Sequence, residues 1–354
     1  MSELEIHVQT PVYGLPNFVD PDNTMIDLDE HVAWIKARHP EVSHLLADPE
    51  SFDPILLRSK IDGLQGCSEF SEKGRGIQWA TTTEQHLRVR KCGASMLLSG
   101  LTERAGRSSQ SQASFCLLDV FGGAGFIAQF AREIYGFKGT VLTSDPSPVM
   151  VQRTLEKGLP AFWQRAQDLF MTRSDSVDAV LFAYGTHHVP VHERSQSFQE
   201  AWRVLKPGGT MVFHDFEEET PTARWFREVV DPYTVTGHKH AHFTVDELRA
   251  YFADARFRIE RICIVDDCFQ FWGPTDELSR TAAIEFMGGA YGLEKLEACE
   301  ATTQFLWRKM NQIFYVQGLA NESPSGGGVE TIIHRPALLG VARKPRESKG
   351  GRLC

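Results

Sequence analysis

One apolar run in this chain ends in an acid and opens at once into a glycine cluster: Phe115-Cys116-Leu117-Leu118-Asp119-Val120-Phe121-Gly122-Gly123-Ala124-Gly125. A second run, Val141-Leu142-Thr143-Ser144, ends in another acid, Asp145. Strand, glycine turn, helix, strand, acid is the layout of a nucleoside-binding α/β domain. Glycines at the turn let backbone approach a ligand more closely than a Cβ would permit. A carboxylate at the second strand tip can accept hydrogen bonds from both hydroxyls of a ribose. The pattern therefore predicts an adenosine-type cofactor.

What surrounds this pattern is regular. Strands are expected at 115–120, 140–144, 160–164, 179–184 and 210–215, with helices at 124–135, 148–157 and 193–205. Such alternation predicts a doubly wound, Rossmann-like parallel sheet covered by helices on both faces. Upstream, residues 1–26 read as an extended arm and 64–80 as loop. Helices are expected at 26–46, 53–63 and 82–104, and 105–114 is a Ser/Gln/Gly-rich linker. Downstream come helices at 220–230 and 244–253, a strand at 257–266, a helical stretch at 274–317, a Ser/Gly-rich loop at 323–328, and a final strand around 329–343. The expected organisation is a helical N-terminal cap (1–104), an α/β core (105–271), a helical insertion before the last strand (272–328), and that strand with its tail (329–354). Cap and insertion are expected to lie over the cofactor cleft.

Composition narrows the partners. With 354 residues and 42% hydrophobic content the chain can bury a sizeable core. A net charge of −9 without a long basic run argues against a nucleic-acid partner, because that affinity rests largely on Lys and Arg. Seven scattered cysteines with no C-x-x-C pair fit reduced core thiols. No apolar stretch approaches the ~18 residues needed to span a bilayer, and no signal peptide is expected from Met1-Ser2-Glu3-Leu4-Glu5. The expectation is a cytoplasmic protein whose partner is a small molecule, with no membrane contact. A homodimer is compatible with the sequence.

A nicotinamide dinucleotide competes for the glycine turn, since Gly123-x-Gly125-x-x-Ala128 fits the dinucleotide fingerprint too. Asp119 discriminates. A carboxylate just before the turn suits an ammonium group and repels a pyrophosphate. Several further segments occur in order: Ser144-Asp145-Pro146-Ser147-Pro148-Val149-Met150, Ala166-Gln167-Asp168-Leu169, Asp178-Ala179-Val180-Leu181-Phe182 and Leu205-Lys206-Pro207-Gly208-Gly209. With the first glycine motif, these make residues 85–265 resemble the class I S-adenosylmethionine-dependent methyltransferases.

The resemblance implies S-adenosylmethionine as cofactor and a small-molecule methyl acceptor. It implies a binding set of Asp119, Phe121, Gly122, Gly123, Gly125, Asp145, Pro146, Met150, Asp168, Leu169, Ala183 and Tyr184. In that set Asp145 holds the ribose and Asp168 the adenine amino group. Phe121 stands where the family pattern has its first glycine, so the turn should take a slightly different path.

The reacting groups are expected beyond the carboxyl ends of the strands. There the fourth strand runs into Ala183-Tyr184-Gly185-Thr186-His187-His188. His187 and His188 are candidates for a general base or acceptor-orienting group, with His187 the more inward, because imidazole titrates near neutrality. His214 with Asp215, ending the fifth strand, could orient an acceptor. In His238-Lys239-His240-Ala241-His242 an extended backbone would set three imidazoles on one side, a pattern that suits a metal, whereas the resemblance implies none. Arg88 and Arg90 could meet a carboxylate.

The motifs that grip an exocyclic base amine, attack a pyrimidine or bind arginine are missing, which lowers nucleic acid and protein arginine as acceptors. The reading is transfer of a methyl group to an O, N or activated C of a small, partly apolar metabolite, in the biosynthesis of a specialised metabolite. The alternatives are an enzyme that keeps the fold and cofactor but catalyses a cyclisation, or a non-catalytic partner protein.

Overall fold

The computed structural model describes residues 28–48, 59–60, 64, 70, 76–102, 113–321 and 328–346. The expected N-terminal arm, most of the 53–63 helix and the 64–80 loop, nearly all of the 105–114 linker and most of the 323–328 loop lie outside them. The strands are β1 (Cys116–Asp119), β2 (Thr140–Asp145), β3 (Ala161–Trp163), β4 (Val177–Ala183), β5 (Leu205–Asp215), β6 (Arg258–Asp266), β7 (Phe269–Gly273), β8 (Tyr315–Asn321), β9 (Gly328–His334) and β10 (Pro336–Arg343).

Seven of them form one sheet in the order β3-β2-β1-β4-β5-β10-β6, with β10 antiparallel to both neighbours. The doubly wound expectation holds. Strand order reverses at β1, between β2 and β4, so the tips of β1, β2 and β4 open onto one crevice. Both sheet faces are apolar because both are covered. On one side Leu118, Phe162 and Phe182 pack with Phe198 of helix Val191–Val204 and Phe252 of helix Val245–Asp254. On the other, Leu117, Leu181 and Val212 pack with Leu97 and Leu98 of helix Lys91–Thr102 and Phe130 of helix Phe126–Phe130.

Four expectations are corrected. First, residues 82–104 are not one helix. Helix Gly76–Gln85 stops, 86–90 turns, and Lys91–Thr102 begins anew. The turn lets the Val89 carbonyl accept from the Gln270 N–H and sends Arg90 inward. Second, the cap reaches the cleft only in part: Phe70, Trp79, Thr83 and Arg90 face it, whereas residues 28–48 do not. Trp34, Ile35, Val42 and Leu45 belong to the core under the sheet face, and Ala47 and Arg173 exchange backbone bonds with Met171 and Leu45.

Third, the insertion is not purely helical. Helices Asp276–Tyr291 and Glu300–Ile313 are joined by a turn that begins at left-handed Gly292, and they pack with a second antiparallel sheet, β7-β9-β8. Fourth, the single strand expected at 329–343 is two. β6 with β10, and β7 with β9, make one long antiparallel ribbon that bends where Asp267 N–H donates to the Arg335 carbonyl. At this corner Asp267 is fully buried and Arg335 nearly so, with Nη1 3.4 Å from the carboxylate and the guanidinium 3.8 Å over the Phe269 ring. A buried ion pair that also caps an aromatic face is strained by straightening, so the corner sets the direction of the insertion over the strand tips.

Lys344, directly after β10, clamps that strand to the parallel sheet. Its buried ammonium donates to the carbonyls of Trp202 (2.9 Å) and Leu205 (2.8 Å) and to Asp175 (2.6 Å). Lys344→Met is expected to lower the unfolding free energy by about 2–3 kcal/mol, read from urea denaturation, because two buried carbonyls lose a charged donor.

Candidate functional site

A cavity of about 410 Å³ opens at the carboxyl ends of β1, β2 and β4. Asp119 ends β1 and is almost fully buried, and its Oδ2 has no hydrogen-bond partner among the described residues. Burial, then the nearby Asp145 carboxylate, push its pKa up to about 8, with Arg90 pulling the other way. Asp145 ends β2 half-buried. Its Oδ2 accepts from Gly123 N–H (3.1 Å) and Oδ1 from Ser147 N–H (2.8 Å), leaving lone pairs on both oxygens. Burial raises this acid to about 7 against those two bonds.

The turn between them needs its glycines. Gly123 has φ +54°, and a Cβ there would lie 2.8 Å from the Trp79 ring. Phe121, in place of a first glycine, is accommodated because Gly185 faces it; a Cβ on Gly185 would meet Phe121 at 2.7 Å. An orphaned acid and a backbone cradle closed to side chains fit an aminoacyl nucleoside with an ammonium group.

Of the sequence candidates, Asp119, Phe121, Gly122, Gly123, Asp145, Pro146, Met150, Ala183, Tyr184, His187 and His188 line this cavity. Gly125, Asp168, Leu169 and His214 do not. Gly125 is the left-handed residue that starts the following helix. Asp168 N–H bonds to the Arg165 carbonyl in a tight turn, and its carboxylate faces Lys60 at 2.7 Å, away from the cavity. Leu169 is buried in the core under the sheet, its N–H donating to Glu200. Arg165, Ala166 and Gln167 line the cavity in their stead.

His214 and Asp215 also separate, since successive strand residues face opposite sides. His214 is buried against the Tyr184 ring (4.6 Å) and 3.7 Å from Asp267, and burial lowers its pKa. Asp215 instead accepts from His187, from its backbone N–H (2.9 Å) and at Nδ1 (2.7 Å). Burial would raise the Asp215 pKa. The charge and hydrogen bond of His187 and the Phe216 N–H outweigh that and hold it below the usual carboxylate range. With Nδ1–H committed to Asp215, His187 presents Nε2, which is buried and without a partner among the described residues.

For the far wall of the cavity the sequence offers part of the insertion's aromatic residues, Phe286 and Tyr291 among them, but not Phe226, Phe269 or Arg335. Phe226, Phe269, Phe286, Tyr291 and Arg335 form it. Only Phe286 and Tyr291 of the aromatic residues in the insertion reach it; Trp272 is exposed, and Met310 and Phe314 pack in the insertion's own core. Arg90 is buried there too, 3.8 Å over the Tyr184 ring, with Nε unpartnered among the described residues. Tyr184 has φ +64°, a conformation costly for a non-glycine residue, and its hydroxyl donates to Asp267 (3.3 Å).

The acid at Asp119 should destabilise the ligand-free protein. Its folded pKa of about 8 lies above the unfolded 3.8, so stability is full below pH ~4 and falls as the pH rises toward 8. Asp119→Asn is expected to raise the thermal midpoint at pH 8, with the gain on the order of a few kcal/mol and vanishing near pH 4. An equal gain at both pH values would contradict it.

Residues 117–209 match the family described as a methyltransferase domain. The chain is 26% identical over 194 residues to a ubiquinone/menaquinone biosynthesis C-methyltransferase UbiE of Marinomonas sp., covering 52% of this chain and 74% of that protein. It is 27% identical over 163 residues to an arsenite methyltransferase of Halobacterium salinarum, covering 44% and 40%. The chain thus spans less than half the length of the arsenite enzyme, and 42–47% of several further UbiE relatives. A solved structure of a Haemonchus contortus phosphoethanolamine N-methyltransferase 2, in complex with S-adenosylhomocysteine, superposes with a TM-score of 0.44 at 15% identity, covering 75% of this chain and 57% of that one. No helix among the described residues is long and apolar enough to cross a membrane. Residues 117–209, which hold β1 to β4 and the acid-glycine turn, thus make up a methyltransferase domain of the S-adenosylmethionine-dependent kind.

Proposed function

We propose that this protein methylates an O, N or activated C of a small, partly apolar molecule, in the synthesis of a specialised metabolite. The observation that carries the reading is one continuous cavity. It runs from two carboxylates at adjacent strand tips, past an Asp-oriented imidazole, to an aromatic wall. When bound, S-adenosylmethionine supplies an electrophilic methyl group on a sulfonium.

The residues divide the remaining work. Asp119 takes the ammonium of the aminoacyl end, and the buried guanidinium of Arg90 takes its carboxylate. Asp145 accepts from the ribose hydroxyls while Gly123 and Ser147 hold it in place. Ala166 and Gln167 take the adenine end in place of Asp168. Phe226, Phe269, Phe286 and Tyr291 seat the apolar part of the acceptor and exclude water. His187 Nε2 accepts the acceptor's proton, and Asp215 stabilises the resulting imidazolium as a carboxylate on Nδ1 does in other dyads. Methyl transfer is an in-line displacement, so alignment supplies most of the acceleration.

Cofactor binding must ionise Asp119. Affinity is therefore expected to fall as the pH drops below about 8, with proton release near pH 7, measured by titration calorimetry in buffers of different ionisation heat. Asp119→Asn should weaken binding at pH 8 by about 100-fold, the loss of a buried charge pair. The activity itself is tested by incubating the protein with methyl-labelled cofactor and a metabolite extract. Label in a small organic product is the expected result; tight cofactor binding with no labelled product overturns the proposal.

A further inference from the structure

Five imidazoles from two distant segments meet beside the cavity. His187 and His188 come from the single turn after β4, and His238, His240 and His242 from the segment before helix Val245–Asp254. Ring centroids lie 4.2 Å apart for His187 and His188, 5.1 Å for His187 and His238, 5.2 Å for His188 and His238, and 4.6 Å for His188 and His240. One nitrogen from each of His187, His188 and His238 lies within 4.8 Å of the other two.

We propose that His187, His188 and His238 bind a divalent transition-metal ion of the zinc class at the edge of the methyl-transfer cavity. Uncharged nitrogen donors without thiolates suit zinc, copper, nickel or iron far better than magnesium or calcium. Zinc–nitrogen bonds of about 2.0–2.1 Å in a tetrahedral site set ligands about 3.4 Å apart, so each imidazole must shift by under about 1 Å. Three protein ligands also leave a coordination position for an exogenous group.

Independent features support the site. His187 Nε2 is buried and unpartnered among the described residues, while Nδ1 is committed to Asp215. Carboxylate, Nδ1–H and a bare Nε2 form the outer support that metal-ligating histidines almost always have. Both segments are held rigidly. Buried Arg194 donates to the carbonyls of Val189 (3.1 Å), His187 (3.4 Å), His242 (3.2 Å) and Ala241, pinning the two histidine segments to each other. Asp231 accepts from the His238 N–H (2.8 Å), and the Phe226 ring stacks on the His238 imidazole at 4.3 Å. A histidine cluster kept only for solubility would need none of this.

In combination with the proposed methyl transfer, on which this one step rests, an acceptor oxygen or nitrogen filling the open position would release its proton to solvent more readily. Without the ion His187 Nε2 takes that proton itself; with the ion bound its lone pair is a ligand and the proton leaves to solvent.

The test uses the full chain stripped of metal by chelation and titrated with zinc chloride in a calorimeter, with cobalt(II) as a spectroscopic probe. One ion per chain is expected, with visible d–d absorption from cobalt in a nitrogen-rich site. His188→Ala and His238→Ala should each weaken zinc binding at least about 100-fold, and Asp215→Asn about 10–100-fold. His192→Ala, at an exposed histidine, should change nothing. Thermal unfolding and S-adenosylhomocysteine binding by His238→Ala check that the fold survives. Zinc binding no stronger than in a His187/His188/His238 triple alanine variant, or a wild-type protein that gives no cobalt spectrum, overturns the site. Label transfer that persists in the chelated protein without zinc affinity sinks the metal alone, whereas zinc binding without label transfer sinks only the methylation reading.

Discussion

A carboxyl group is buried at the tip of β1 with one oxygen that no described residue of the protein satisfies, and the organisation of the cleft follows from that deficit. Burial alone would drive Asp119 to its neutral form. The fold retains it where parallel strands direct their carboxyl ends into one crevice and where a cationic ligand can supply the missing partner. The stability given up in the empty protein is differential affinity for an ammonium-bearing nucleoside, available only when that ligand enters. Asp145 works at the next strand tip with the opposite economy of contacts, since two backbone N–H groups already hold it in place.

The second constraint is the corner in the β6–β10 and β7–β9 ribbon. Without the bend at Asp267 and Arg335 the chain would continue the main sheet. With it, the ribbon leaves the sheet edge and carries two helices back over the strand tips. The same buried ion pair touches the Tyr184 hydroxyl through Asp267 and places Arg335 in the cavity wall. The cofactor cleft and the insertion are therefore mechanically connected through one polar cluster, and Phe286 and Tyr291 inherit their positions from it.

The third is the pinning of the histidine segments by Arg194. Its guanidinium lies 4.0 Å over the Phe243 ring and donates to four backbone carbonyls. A buried cation in such a position is costly unless its donors are used. Its four carbonyl acceptors come from two segments about fifty residues apart, which explains how imidazoles so distant in sequence share a few ångströms of space.

Local patterns were sufficient where a ligand contact depends on a strand end and the turn after it. Asp119, the glycines at 122 and 123, Asp145, and the histidines at 187 and 188 could be found because alternating apolar runs locate strand tips, and strand tips in a parallel sheet share one crevice. Contacts made by reversal or by distant pairing were not accessible this way. A four-residue turn at Arg165 swings Asp168 out of the cavity, although its motif is intact. Asp215 pairs with His187 and not with its neighbour His214, because pleating separates adjacent side chains while the β4–β5 register aligns residues far apart in the chain. The bend at Arg335 splits one expected strand into two, since hydrophobic alternation is the same on both sides of a corner. Periodicity encodes which face is apolar; which faces meet is decided by long-range packing, and the aromatic wall and the imidazole cluster exist only after that choice is made.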